Sequence, residues 1–305
     1  MTSIAESARP VPTIELRPRQ GPMKRLWRVA RKKPIGAIAG AICIIFILIA
    51  IFASQLAPHA VDEQDFPRLQ SPSFTFPMGT DNLFRDIFSR IIVGSRISLG
   101  VGFAAVFVGT VIGAVLGIVA GYLGGWADLI IGRLLDVMLG FPPLVFLIFF
   151  LSIFNNAGGY SLKSFLLISV AIGVIIAPTT ARIVRGAVLS IRNLQYIEAA
   201  HSIGNSTPRI MMRHVLPNVV APIIVIASIQ IGNAILAEAA LSFLGLGIAN
   251  ANHPSWGALL QDTRAFWQQA WWTAFMPGLA ISVAVLSFNL FGDALRDVLD
   301  PRLRQ

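Results

Sequence analysis

Charge is scarce in this 305-residue chain: 13% of its residues are Asp, Glu, Lys or Arg, while 55% are apolar. A soluble globular domain carries about a quarter charged residues, so that class is excluded and a polytopic membrane protein is implied. Cysteine is almost absent. The single Cys43 lies inside an apolar run, which rules out an internal disulfide and leaves packing as its role. The four histidines, His59, His201, His214 and His253, fall in separate connections and form no spaced metal-ligand set. There is no GxxxxGK[ST] loop, so the chain does not hold ATP in that way and any nucleotide energy comes from a partner. The first apolar run is expected to be an uncleaved span and not a signal peptide, because it is long enough to span and has no small-residue cleavage site before Pro58. The formal charge of +9 does not point to nucleic acid, since much of the excess flanks apolar runs, where it sets topology.

What is present is a series of six apolar runs, about 35–56, 97–122, 134–154, 165–181, 219–244 and 273–292, each read as a spanning helix. Lys24, Arg25, Arg28, Arg31, Lys32 and Lys33 precede the first run and place the N-terminus in the cytoplasm. The same rule puts the arginine-rich connection from Arg182 to Arg213 inside, together with the tail carrying Arg296, Arg302 and Arg304. Residues 1–22 read as a disordered cytoplasmic tail and 23–305 as the transmembrane domain. Gly121 to Arg133 is expected to form a short inside turn, and Asp81 to Arg90 an amphipathic surface helix capped at Thr80 or Asp81.

Within the spans, Pro142 and Pro143 predict a kink or break in the third. Gly100, Gly102, Gly109, Gly113, Gly117 and Gly121 suit close approach of the second span to another helix. Asp136 and Glu238 lie near span ends, where they are expected to be solvated or paired, and membrane-centre carboxylates for a proton relay are lacking. Gln230, Asn233 and Asn289 read either as helix-helix hydrogen bonders or as path lining. Trp271 and Trp272 suit interfacial anchoring, and Trp256 and Trp267 suit either anchoring or an outer contact.

One polar stretch, Gln195 to Asn218, interrupts this pattern. Gln195 to Ile203 has helical spacing, Gly204 ends it as a C′ glycine, Ser206 and Thr207 are candidate caps, and Arg209 to Val215 forms a second short helix that Pro217 breaks. With Glu198-Ala199-Ala200, then Gly204, then Leu216-Pro217 between two spans, the stretch resembles the EAA loop of permease subunits of bacterial ABC importers. The resemblance runs from about Met23 to the end and is similar to the dipeptide, oligopeptide and nickel permeases. It is carried by Gly79-Thr80-Asp81 with Arg85-Asp86 and Ser89-Arg90, Gly121 to Trp126 with Asp136 and Phe141-Pro142, Glu238 to Gly247 with Pro254 to Gly257, and Leu290 to Arg304. Two positions depart from the pattern. Phe84 stands where the family usually has glycine, and His201-Ser202 replaces Arg-Ala.

The resemblance implies an all-α membrane protein of six transmembrane helices with the type I importer fold, its coupling helices lying between the fourth and fifth spans. Glu198, Ala199, Ala200, Gly204, Arg209, Arg213, Leu216 and Pro217 would couple to a cytoplasmic ATPase; alternatively, Glu198 braces its own loop. Gly79, Thr80, Asp81, Arg85 and Asp86 would form an outer-face signature. The implied partners are a second related permease, two ATPase subunits, an extracytoplasmic solute-binding protein and the lipid bilayer of the bacterial inner membrane. The chain itself would carry no cofactor and no catalytic residue; ATP and Mg would sit on the ATPases. Peptide, nickel chelate, opine and glycoside stay open as solutes. The competing class is an ATP-independent channel or ion-coupled carrier, which has no use for a coupling loop.

Overall fold

The computed structural model describes residues 33–154 and 160–299. Among them the only β-type pairing is an isolated antiparallel bridge between Thr80 and Asp86. The tail 1–22, the basic residues Lys24, Arg25, Arg28, Arg31 and Lys32, residues 155–159 of the expected loop 155–163, Arg302 and Arg304 lie outside the described residues.

The helices are α1 (Pro34–Ile51), α2 (Ala53–Leu56), α3 (Ile87–Leu123), α4 (Gly125–Gly140), α5 (Pro143–Phe154) and α6 (Leu162–Ile191). They continue with α7 (Gln195–Ser202), α8 (Thr207–Ile210), a π-helical turn (Met211–Val215), α9 (Leu216–Phe243), α10 (Trp256–Asp262) and α11 (Trp271–Leu299). Among the described residues, five helices are long and apolar enough to cross a membrane, and the bent pair α4–α5 supplies a sixth crossing only if its two pieces count as one. The pieces meet at 90°. The cause is covalent: Pro142 and Pro143 have no N–H, so the carbonyls of Met138 and Leu139 have no α-helical donor. Of the expected kink or break it is the break that forms, and the first piece starts at Gly125, where a turn reaching Arg133 is expected from the sequence.

α1 stops at Ile51, short of the predicted 56, whereas α3, α6, α9 and α11 are longer than their apolar runs. α3 begins ten residues before the predicted 97 and covers roughly 55 Å at 1.5 Å per residue. α6 runs to Ile191, so Arg182 and Arg185 lie on the helix and not in a loop. The expected amphipathic helix from Asp81 to Arg90 is absent as such. Asp81 turns its carboxylate back onto the N–H groups of Leu83 (2.8 Å) and Arg85 (2.9 Å), which fixes a turn, and Asp86 caps α3.

In a bilayer, lipid is as apolar as a leucine side chain, so close packing and hydrogen bonds hold the helices together. The densest seam joins α3 to α6. Methyl groups placed at Gly109, Gly113 and Gly117 would each sit 2.6 Å from a backbone carbonyl, those of Gly173, Ala177 and Ala181 respectively, and one at Gly121 would lie 3.0 Å from Arg185 O. Both helices thus carry small contact positions at four-residue intervals, and the predicted glycine face is resolved into these four. Gly102 turns instead to Ile235 of α9, while Gly100 makes an ordinary contact with Phe165. α11 packs on α9 through Gly292 against Ile229, and α1 lies on α11 with Gly40 against Phe291. Arg96 of α3 closes the end of α1 by donating to Ala50 O (2.9 Å) and Ile51 O (3.1 Å).

Candidate coupling segment and ion-pair collar

The polar stretch after α6 folds as a shelf at the end of the α3–α6 seam. Ile197 and Ala200 of α7, Ile210 of α8 and Val215 of the π turn are buried against Ile118, Val184, Val188 and Val219. Gly204 has φ +82°, Gly204 N–H donates to His201 O (3.0 Å) and Asn205 N–H to Ala200 O (3.2 Å), which is the double bond of a Schellman cap. A glycine fits there because other residues carry strain at positive φ. Ser206 occupies the N-cap position of α8 but makes no side-chain cap bond, while Pro208 sits in the first turn as expected. Pro217 does not break the chain: α8, the π turn and α9 form one continuous run, Thr207–Phe243. The π turn accommodates the proline, with Leu216 N–H reaching back five residues to Met211 O.

The outward face of this shelf carries Glu198, Ala199, Gly204, Arg209 and Arg213, all exposed, together with Pro217. Ala200 is buried and Leu216 half-buried, so these two seat the shelf. Ile203 is 79% exposed and Met212 66%, an unusual apolar display beside so many polar groups. The α6 end is tied to its neighbours by Arg192 Nη1 donating to Gly121 O (3.1 Å). Arg185 makes a two-pronged contact with Asp128 of α4 (2.5 and 2.6 Å), and Arg182 meets Asp136 at 2.5 Å. Asp136 is therefore paired, as its position near a span end suggested.

At the other end of α3 the predicted signature residues come together in a buried collar. Asp81, Arg85 and Asp86 are 5%, 3% and 2% exposed. Arg85 Nε donates to Asp81 Oδ2 (2.7 Å) and its Nη2 to Asp262 Oδ2 of α10 (3.1 Å). Arg90 stands behind them, 3.9 Å from Asp81 and 3.7 Å from Asp262. Asp86 accepts from Ser89 N–H (2.9 Å) and Ser89 Oγ (2.6 Å), capping α3. Thr80 receives Gln70 N–H (2.8 Å) on its hydroxyl and donates that hydroxyl to Pro67 O. Gly79 has φ +75°, and a Cβ there would lie 2.5 Å from Gln70 O and 2.7 Å from the Trp272 ring. The collar pins the long connection before α3 to α10 and to the start of α11.

Comparison with known proteins fits this arrangement. Residues 113–305 match the family model described as binding-protein-dependent transport system inner membrane component. The chain belongs to that permease family of ABC importers. Residues 21–72 of the permease match the N-terminal transmembrane domain of oligopeptide transport permease C. The dipeptide transport system permease protein DppC of Alkalihalophilus pseudofirmus is 43% identical over 284 residues, covering 93% of this chain and 91% of that one. The glutathione transport system permease protein GsiD of Pectobacterium atrosepticum is 40% identical over 296 residues, 96% of each chain. Among solved structures, an inward-facing MetNI methionine ABC transporter aligns with TM-score 0.56 at 17% identity, covering 70% of the permease and 98% of that chain. This likeness places the permease in the type I importer fold, and the family places it in the inner membrane.

Ser89 and Arg90 of the permease's collar are among the residues that carry the resemblance, whereas Asp262 escaped sequence reading and joins them only in three dimensions, since Arg85 and Asp262 are 177 residues apart. Trp272, expected as an interfacial anchor, is buried and its Nε1 donates to Thr80 O (3.4 Å), while Trp267 and Trp271 are exposed. Trp256 is fully buried and donates its Nε1 to Ile91 O (2.9 Å). Glu238 is buried as well, accepting from Ser242 Oγ at 2.7 Å, so solvation at the span end does not apply to it. Phe84 has φ +61°, a backbone conformation that favours glycine, the residue the resemblance leads one to expect there.

Proposed function

We propose that this permease is one transmembrane half of an ATP-driven importer for peptides or a related small solute, working beside a second, related permease. Two cytoplasmic ATPase subunits, carrying ATP and Mg, dock on the shelf formed by α7, α8 and the π turn. An extracytoplasmic binding protein delivers solute at the collar end, and both termini of the chain lie in the cytoplasm. The peptide class is supported by the relatives named for dipeptide and glutathione transport. The topology is supported by the basic residues before α1 and along the α6–α8 connection.

One observation carries this reading: a short helix with a glycine cap is seated on buried apolar residues and turns Glu198, Ala199, Ile203 and Gly204 outward. Such a braced element passes on a rigid-body displacement, where a loose loop would absorb it. Glu198 makes no side-chain ion pair among the described residues, which favours an external contact over bracing its own loop. Gly204 shapes the turn, Ile203 is an apolar anchor, and Arg209 and Arg213 flank the contact.

The test is reconstitution of the whole importer with Ile203→Asp or Gly204→Val. Loss of one apolar anchor should weaken ATPase association about tenfold and lower ATP-driven uptake with it. Normal association and uptake in both variants would remove the coupling assignment. Uptake by the intact importer that follows an ion gradient without ATP would favour the carrier reading.

A further inference from the structure

The elbow between α4 and α5 walls a cavity of about 600 Å³ that α6 and α9 complete. Sites for small molecules commonly enclose about 300–1,000 Å³. No charged residue lines it, and its polar side chains are Thr179, Gln230 and Asn233. Asn233 Nδ2 donates to Gln230 Oε1 (2.7 Å), which joins two of the three residues into one amide pair and leaves Asn233 Oδ1 free to accept. Met138 and Leu139 also line the cavity, and Pro142 and Pro143 deprive their carbonyls of α-helical donors. At membrane depth such carbonyls persist only where protein or a cavity supplies donors, and the carbonyl end of a broken helix attracts cations. The site therefore offers an apolar wall together with a cluster of acceptors.

We propose that this cavity is a transit subsite for the amino-terminal end of a peptide whose first side chain is uncharged and apolar. The side chain rests on the apolar wall beside Ala237, while the ammonium donates to the carbonyls of Met138 and Leu139 and to the amide pair. The inference rests on the reading of the chain as a peptide importer permease. An inserted apolar side chain from the second permease would fill the space but bring no donors to those carbonyls. An ammonium brings three.

The experiment uses the complete importer with its binding protein in liposomes and compares ATP-driven uptake of leucyl-leucine and glycyl-glycine. Ala237→Phe thickens the wall, and Ala240→Leu does so more gently from the next turn of α9. Both should lower leucyl-leucine uptake relative to glycyl-glycine, by about tenfold for Ala237→Phe, as expected when a pocket loses room for a few methylenes. An unchanged ratio in both variants overturns the subsite. Loss of the second permease from the purified complex with both variants assigns the cavity to the subunit interface and overturns it too. If the unmodified importer takes up neither peptide, the peptide reading itself fails, and that result is seen without any variant.

Discussion

Replacing Arg85 with Met tests whether the collar is held by charge. Arg85 and Asp81 are almost fully buried, and the change removes the 2.7 Å bond to Asp81 and the 3.1 Å bond to Asp262. Removing one partner of a buried ion pair costs about 3–5 kcal/mol, because the other charge is left without compensation. Asp81 keeps the backbone N–H groups of Leu83 and Arg85 and the Arg90 guanidinium at 3.9 Å, which places the loss at the lower end, about 3 kcal/mol. Asp262 is 37% exposed and adds little, since solvent screens its share. Equilibrium unfolding in mixed detergent micelles, followed by tryptophan fluorescence, reads the change, and buried Trp272 beside Thr80 reports on the collar directly. Asp81→Asn should also destabilise, but the double variant Asp81→Asn/Arg85→Met should lose about 2 kcal/mol less than the sum of the singles. Additive single losses, each under about 1 kcal/mol, would refute a charge-held collar.

Other consequences are as direct. Gly113→Ala places a methyl 2.6 Å from Ala177 O and from Thr180 Cβ, so α3 and α6 must part and the folded yield should fall, whereas Gly132→Ala meets nothing within 4 Å and should be neutral or gain up to about 1 kcal/mol of helix propensity. Unfolding midpoints of the two purified variants separate these outcomes. At Phe84, where φ is +61°, Gly should give a protein about 1 kcal/mol more stable than Ala does, although both remove the ring. Equal stability of that pair would mean the backbone relaxes to negative φ. Asp128→Arg faces Arg185 with a like charge and should depress uptake, and the exchange Asp128→Arg/Arg185→Asp should recover part of it. No recovery would show that the pair does not act as a unit.

The sequence was informative wherever the cause of a structure is local. Gly204 was legible as a helix end because a C′ glycine and its two back-bonds involve only neighbouring residues. Pro142 and Pro143 announced the break of the third span for the same reason, though not its 90° angle, which depends on what α5 packs against. The stretch Asp81 to Arg90 misled because its composition suits an amphipathic helix, while the deciding interaction, Asp81 folding back on Leu83 and Arg85, competes with helix formation and leaves no periodicity behind. Pro217 misled in the opposite sense: a proline usually stops a helix, but a π turn just before it let the run continue. The collar was half legible. Its glycine, threonine and acidic residues stood out through resemblance, whereas Asp262 and Trp272 come from the far end of the chain, and no local pattern links them to Arg85 and Thr80.

The shelf and the collar lie at opposite ends of the same pair of helices. α6 runs directly into the shelf, and α3 starts at the Asp86 cap inside the collar. Between them the Gly109, Gly113, Gly117 and Gly121 contacts lock backbone to backbone, and a seam of that kind cannot slide by less than a full step without clashes. Under the coupling proposed above, a push on the shelf would reach the collar as movement of one body. By contrast, α4 buries only Leu135 and α5 only Leu147 and Leu151 within this subunit, and α4 meets α6 through ion pairs that are partly exposed. Ion pairs of that kind contribute about 1 kcal/mol or less each, so the elbow is the part most easily displaced against the α3–α6 body. In the proposed importer, relative movement then concentrates where the cavity lies, and opening or closing the elbow would change the space available to a passing solute without disturbing the α3–α6 seam.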